Sequence, residues 1–333
     1  MRFHWALMSG VLLVAQVSQA SITGSSGSAL ADVTGDRRAD FITVTPYGLK
    51  VNVSNGGTFL GTASWTTDPY YGSRGTWFAD VTGDGRAEAL AINECGSNCV
   101  IVSMRRSNGY EFLPNESSYA VNAPSTASFD FADVNGDGRA DFIQVPRDGR
   151  QGVLVSLSVG AGFDFPVAWT DIPYHGTYGT WFADVTGDGK ADAIVSNEGE
   201  LVVRRSDGTR FLPNEKWSWS SYSGTKGTWF EDVTGDGKAD AIVENADAVV
   251  VRRSNGSGFL PNEVWSGPLA SNTQSWFGDL TGDGKTDLVY RAGITTCYSW
   301  PGHPWPQTYC TYTFRWYLAY SNGTAFGQPF VWQ

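Results

Sequence analysis

Past residue 27 the chain is a succession of short apolar runs cut by clusters of Gly, Asp, Asn and Ser. One stretch shows the pattern clearly: Thr180 to Val185, Ala191 to Ser196, Glu200 to Arg205 and Phe211 to Trp217 are four such runs, separated by an acidic glycine loop and by Asn-Glu-Gly and Asp-Gly signals. Runs of this length, rich in Val, Ile, Thr and aromatics and bounded by turn residues, predict four antiparallel strands. No apolar period of 3.6 residues persists, which excludes helical and leucine-rich repeats.

The same pattern returns along the chain. The string from Thr180 to Val195 recurs almost unchanged from Thr228 to Val243, again from Thr76 to Leu90, Phe129 to Ile143 and Ser275 to Val289, and loosely from Ser28 to Ile42. The first acid of each copy is Asp32, Asp80, Asp133, Asp184, Asp232 and Asp279, with gaps of 48, 53, 51, 48 and 47 residues. Six units of about 50 residues, each with four strands, predict an all-β propeller of six blades, because radial packing hides the sheet edges. Seven blades is the alternative. Residues 21–333 form one domain in this reading, with blades near 21–70, 71–122, 123–174, 175–222, 223–270 and 271–333, and Ile294 to Tyr312 inserted into the last.

Composition adds constraints. With 34 Asp+Glu against 23 Lys+Arg the formal net charge is -11, so a phosphate-neutralising surface is excluded and nucleic acid is not an expected partner. Residues 1–20 carry Arg2, an apolar run from Ala6 to Val17 and the small residues Ser18 and Ala20, the pattern of a secretory signal cut after Ala20. The run is too short to span a bilayer, and no later segment could. In a secreted protein Cys95, Cys99, Cys297 and Cys310 read as disulfides. Of three connectivities the local one, Cys95 with Cys99 and Cys297 with Cys310, needs the least chain closure; zinc would want different spacing and nearby His.

The acidic loops carry the candidate chemistry. Oxygen-bearing side chains stand at loop positions 1, 3, 5 and 9: Asp32, Thr34, Asp36 and Asp40; Asp80, Thr82, Asp84 and Glu88; Asp133, Asn135, Asp137 and Asp141; Asp184, Thr186, Asp188 and Asp192; Asp232, Thr234, Asp236 and Asp240; Asp279, Thr281, Asp283 and Asp287. This matches the first nine residues of an EF-hand loop, and it predicts up to six Ca2+ ions. A tight turn alone needs one such residue, whereas three carboxylates in nine residues repel one another. Arg37 stands where the other loops have glycine at position 6, and Glu88 is one methylene longer than its counterparts, so the first site is expected to be the weakest.

These loops resemble the FG-GAP or VCBS repeat, the unit of integrin alpha-subunit propellers and of many secreted bacterial and fungal propellers. The resemblance covers nearly all of residues 21–333. It implies a propeller with calcium in its strand-connecting loops, and recognition or adhesion more often than catalysis. Some fungal propeller lectins of similar build bind N-acetylglucosamine or fucose between blades.

A second repeated stretch, Tyr70 to Trp77, Tyr174 to Trp181 and Tyr222 to Trp229, joins successive blades and lines the grooves between them. Its aromatic, hydroxyl and cationic side chains suit sugars, so Tyr71, Arg74, His175, Tyr178, Tyr222 and Lys226 are the candidate ligand contacts, while Trp77, Trp181 and Trp229 are expected to fill blade interfaces. Beyond residue 20 only His175 and His303 remain, with no HExxH and no G-x-S-x-G, so an enzyme is not expected; a polysaccharide lyase or hydrolase would leave no local signature. The expected partner is a glycan or a glycosylated extracellular macromolecule, with protein adhesion as the alternative.

Overall fold

The computed structural model describes residues 22–269, 273–299 and 308–332. The signal sequence read from residues 1–20 lies outside these residues. Six sheets of four strands each follow chain order, and all strand pairs within them are antiparallel. The fold is therefore the all-β propeller of six blades, not seven. In blade 4 the strands are Gly179–Ala183, Asp192–Asn197, Glu200–Arg204 and Glu215–Ser218.

The inner strands of blades 1 to 6 are Gly27–Ala31, Gly75–Ala79, Ser128–Ala132, Gly179–Ala183, Gly227–Glu231 and Gln274–Gly278. Each touches the next, and the last touches the first, so they ring a central axis. Apolar residues of neighbouring blades form one buried cluster per interface. Trp77 packs on Phe131 at 5.8 Å, Trp181 on Phe230 at 5.3 Å and Trp229 on Phe277 at 4.7 Å, ring centre to ring centre. The three indoles thus fill interfaces, as the sequence suggests.

The outer strands repeat the device. Trp65 packs on Phe112, Trp169 on Phe211, Trp217 on Phe259 and Trp265 on Phe326, at 5.2 to 5.6 Å. Tyr119 substitutes for Trp against Phe163, and Trp332 closes the circle on Phe59 at 4.7 Å. An aromatic on one blade that needs an aromatic on the next has no satisfied end, so the repeat is stable only when it closes.

The two disulfides join Cys95 to Cys99 and Cys297 to Cys310, the local pairing. The insertion in blade 6 is an extension of two existing strands: Asp287–Ser299 and Thr308–Ala319 pair from Leu288 with Ala319 out to Ser299 with Thr308. Its exposed aromatics include Tyr298, Tyr312 and Phe314.

One polar contact recurs at every blade boundary. Ser54, Ser107, Ser158, Ser206, Ser254 and Ser321 each donate from Oγ to the carbonyl at position 2 of the preceding blade's acidic loop, at 2.5 to 2.7 Å, and all six are buried. Ser254→Ala strands the Val185 carbonyl in a dry interface, which costs about 1–3 kcal/mol. Denaturant unfolding of S254A should show that loss, with S206A similar; a change within error in both variants would mean the contact contributes nothing.

Candidate functional site: the acidic loops and the inter-blade linkers

Each acidic loop joins the inner strand to the second strand of its blade. Gly85, Gly138, Gly189, Gly237 and Gly284 all have φ between 81 and 84°, the left-handed region where a side chain is disfavoured. Arg37 takes the same place in the first loop at φ 68°, and it is the one non-glycine residue with positive φ among the described residues. Holding it there costs about 1–2 kcal/mol. The loop shape is kept and the strain falls where the sequence puts it.

The three carboxylates of a loop do different work. The position 1 carboxylate of Asp184 accepts backbone N–H groups of Gly187 at 2.6 Å and Gly189 at 2.7 Å, so it organises the turn. The position 5 carboxylates face the cation at position 7: Asp188 pairs with Lys190 and Asp236 with Lys238, both at 2.8 Å, and Asp36 with Arg38, Asp84 with Arg86, Asp137 with Arg139 and Asp283 with Lys285. The position 9 carboxylates are buried. Asp192 accepts the N–H of Val185 at 3.2 Å within its own loop and that of Ser206 at 2.8 Å in the turn after the third strand. Asp40, Asp141, Asp240 and Asp287 repeat both bonds.

Glu88 departs from this scheme. Its Oε2 accepts the N–H groups of Val81 and Thr82, but its extra methylene carries Oε1 past the turn, and that buried oxygen has no partner. Burial, then the charges of Asp80 and Asp84, push the Glu88 carboxyl up to about 8. Burial likewise pushes Asp40, Asp141, Asp192 and Asp287 up to about 7 and Asp240 to about 8, with the loop's other acids adding to the rise. The oxygen-only donor set suits a hard cation. As folded, however, the carboxylates are each turned to protein donors, and among the described residues no three His, Cys, Asp or Glu groups converge on a metal position.

On the opposite end of the strands lie the linkers. Ser73, Thr177 and Thr225 donate their backbone N–H to Asn93, Asn197 and Asn245 at 2.9 to 3.0 Å, so three linkers share one shape. Tyr71 and Tyr178 are exposed, at 40% and 48%, and so is His175 in the same linker as Tyr178. Arg74 reaches to the next blade, donating to the Ala127 carbonyl at 2.7 Å and stacking over Phe129 at 5.2 Å. Lys226 reaches Glu244 at 3.1 Å and Thr273 at 2.9 Å.

Tyr222 is different from the other candidates. It aligns with Tyr70 and Tyr174, not with Tyr71 and His175, and it is buried. Its hydroxyl donates to the carbonyls of Ala241 and Val250, as Tyr70 and Tyr174 do at their own interfaces. Arg105, Arg204 and Arg252 lie over these three rings at 4.4 to 4.8 Å. The neighbouring Arg106, Arg205 and Arg253 point the other way and pair with Glu116, Glu215 and Glu263 at 2.6 to 2.8 Å. Sequence spacing made one ligand candidate of a residue whose alignment with Tyr70 would have marked it as a strut.

The six position 9 acids impose a sign on stability. Their folded values lie above the ordinary carboxylate range, so the stabilisation from protonation is complete below about pH 4 and is lost as pH rises through about 7 to 8. The chelated protein should melt at falling temperature from about pH 5 to about pH 9; a flat or rising melting temperature would contradict the burial cost.

Comparison with known proteins agrees with the architecture. An FG-GAP-like repeat model matches residues 16–91, 184–243 and 232–290. No curated protein sequence matches. A solved Agrocybe aegerita lectin, described as recognising non-reducing terminal N-acetylglucosamine, superposes with a TM-score of 0.62 at 22% identity, over 93% of this chain and 80% of that one. The Photorhabdus luminescens Tc holotoxin pore superposes with a TM-score of 0.57 at 16% identity, over 96% of this chain but 14% of that one. At these identities the likeness is one of fold. Six copies of the acidic loop on six closed blades, with the family model matching more than half of the residues, make this chain a member of the FG-GAP-like repeat propellers.

Proposed function

We propose that the protein is a secreted recognition module that binds glycans in the grooves between blades. The observation that carries the reading is the repeated linker: of three loops of one shape, the first holds Tyr71 exposed with Arg74 near it, the second holds His175 and Tyr178 exposed, and the third supplies Lys226. Aromatic faces with directed donors are what a pyranose requires. The Agrocybe lectin's recognition of N-acetylglucosamine on a similar fold supports a sugar as the ligand class. Two disulfides, and no helix among the described residues long and apolar enough to cross a membrane, are consistent with secretion. Weak equivalent sites around one propeller gain strength on a multivalent surface. Recognition, not turnover, is the activity this arrangement supports.

The acidic loops enter the same proposal as calcium-binding turns, supported by their oxygen spacing and by the burial of uncompensated carboxylate. Uptake requires the position 5 acid to leave its Lys or Arg partner, so the cation at position 7 competes with the metal. Protein adhesion is favoured by one observation, the exposed Tyr298, Tyr312 and Phe314 on the long hairpin of blade 6.

A glycan array with and without chelator tests the first reading. Binding to a defined terminal sugar, reduced about tenfold or more by Tyr178→Ala with an unchanged melting temperature, is expected; retention of no glycan would refute it. For the loops, calcium should raise the melting temperature of chelated protein, and more so in K238A than in the parent. No shift at millimolar calcium in either protein would refute the metal reading.

A further inference from the structure

The inner strands share a register in which the first and third places lie on one face. Four blades carry Trp in the third place, at Trp77, Trp181, Trp229 and Trp276. In three of them glycine holds the first place, and a Cβ on Gly75, Gly179 or Gly227 would come within 2.6, 2.1 and 2.1 Å of the indole. The ring folds back over the glycine, and nothing larger fits beneath it. Blade 3 breaks both halves of the pair, with Ser128 in the first place and Asp130 in the third.

Blade 1 also lacks the indole, with Ala29 in its place; at blade 3 there is a pocket of about 220 Å3 near the axis, at the linker end of the strands. Trp77, Phe129, Asp130, Arg147, Thr180 and Trp181 are among its lining residues. None of the linker candidates for glycan contact is among its lining residues, although it adjoins one of them: Arg74 stacks on Phe129. Asp130 accepts the N–H of Phe131 at 2.9 Å, and no ion pair forms between Asp130 and Arg147 or from either to any other described residue. Arg147 is exposed at the rim, just past the second strand. Burial pushes the Asp130 carboxyl up to about 7, against the lowering effect of the Phe131 N–H.

We propose that this pocket binds a small zwitterion, its alkylammonium group held by Asp130 and the faces of Trp77 and Trp181 and its anionic group by Arg147. Aromatic rings around a carboxylate are the usual environment of a quaternary or alkyl ammonium ion, whose charge attracts the ring faces and whose methyl groups need little solvation. A neutral sugar would stack on the indoles equally well, but it would leave an acid and a base unpaired in a partly dry site. The overall negative charge favours approach of the cationic end.

Phosphocholine is the probe, followed by calorimetry and by tryptophan fluorescence on the folded chain. Saturable binding is expected, weakened about tenfold or more by Asp130→Asn and by Arg147→Ala. Choline alone should bind more weakly than phosphocholine, and inorganic phosphate should not compete at equal concentration. The double variant S128G/D130W rebuilds the glycine and indole pair; it should abolish binding while the melting temperature holds or rises and glycan retention is unchanged. Sedimentation with phosphatidylcholine vesicles separates the sources: co-sedimentation lost in S128G/D130W assigns the site to a lipid headgroup, and free phosphocholine binding without it assigns a soluble zwitterion. The proposal is overturned if phosphocholine shows no saturable binding at about 10 mM, if S128G/D130W binds like the parent, or if a neutral N-acetylhexosamine occupies the pocket and phosphocholine does not.

Discussion

The structure depends on a buried carboxylate that is shared by two loops of a blade and transmitted to the next. At position 9, Asp192 holds the Val185 N–H with one oxygen and the Ser206 N–H with the other, and the Oγ of Ser206 donates to Val134 in the preceding blade. The acid therefore fixes the turn that presents a serine, and the serine fixes the spacing of blades. A second backbone bond runs alongside it, from the Ala191 N–H to the Asp133 carbonyl at 2.7 Å. The serine and backbone bonds repeat six times and make one closed belt of hydrogen bonds on the acidic face, the carboxylate joining both turns in five blades and Glu88 holding one turn in blade 2; the aromatic pairs of the outer strands are the belt's apolar counterpart. Burying a carboxylate is costly, and here the cost is met by two backbone donors rather than by a counter-charge.

This changes the meaning of the chain's acidity. Eighteen of its 34 acids sit in the six loops. Spacing alone assigns all of them to a metal, because spacing records which oxygens are near one another but not which way they point. In the folded chain position 1 organises the turn, position 5 faces its own Lys or Arg, and position 9 points into the blade. Calcium and these bonds are not mutually exclusive, since a carboxylate oxygen has a second lone pair. The cation at position 7 is the competitor, and its flexible stem makes the competition reversible where a buried ion pair would not be.

The fold was legible because a propeller repeats its demands. The period, the strand count, the closure at six and the local disulfides all follow from residues that recur or from short chain separations. The glycine two places before three of the four indoles is equally readable once its reason is known: Gly179 lies under the ring of Trp181. Less legible were features that depend on three dimensions. Tyr222 and Tyr71 look alike in sequence, yet one is a strut bonded to two carbonyls and the other is exposed. The paired arginines split between an aromatic face and a glutamate because adjacent strand residues point oppositely, which the sequence does predict; which member stacks on the tyrosine is settled only by the interface.

A repeat also tells where to look for function, through its failures. Residues that every blade needs are occupied by the task of closure, and changing them opens the ring. Residues that depart from the consensus are released from that task. Blade 3 lacks the linker tyrosine, with Ala123 in its place, lacks the arginine that would stack on it, with Ser156 instead, and lacks the indole, with Asp130 instead. Part of that loss is repaired by Tyr119, whose hydroxyl meets Ser156 Oγ at 3.2 Å and the Asp164 carbonyl at 2.8 Å. The buried Gln144 amide and the Asp130 pocket are not repaired: Gln144 has no partner among the described residues, and the pocket remains open. The other blades can hold this irregular one, because closure distributes its cost around the ring. That tolerance is what lets a propeller carry a site that its own repeat would have filled.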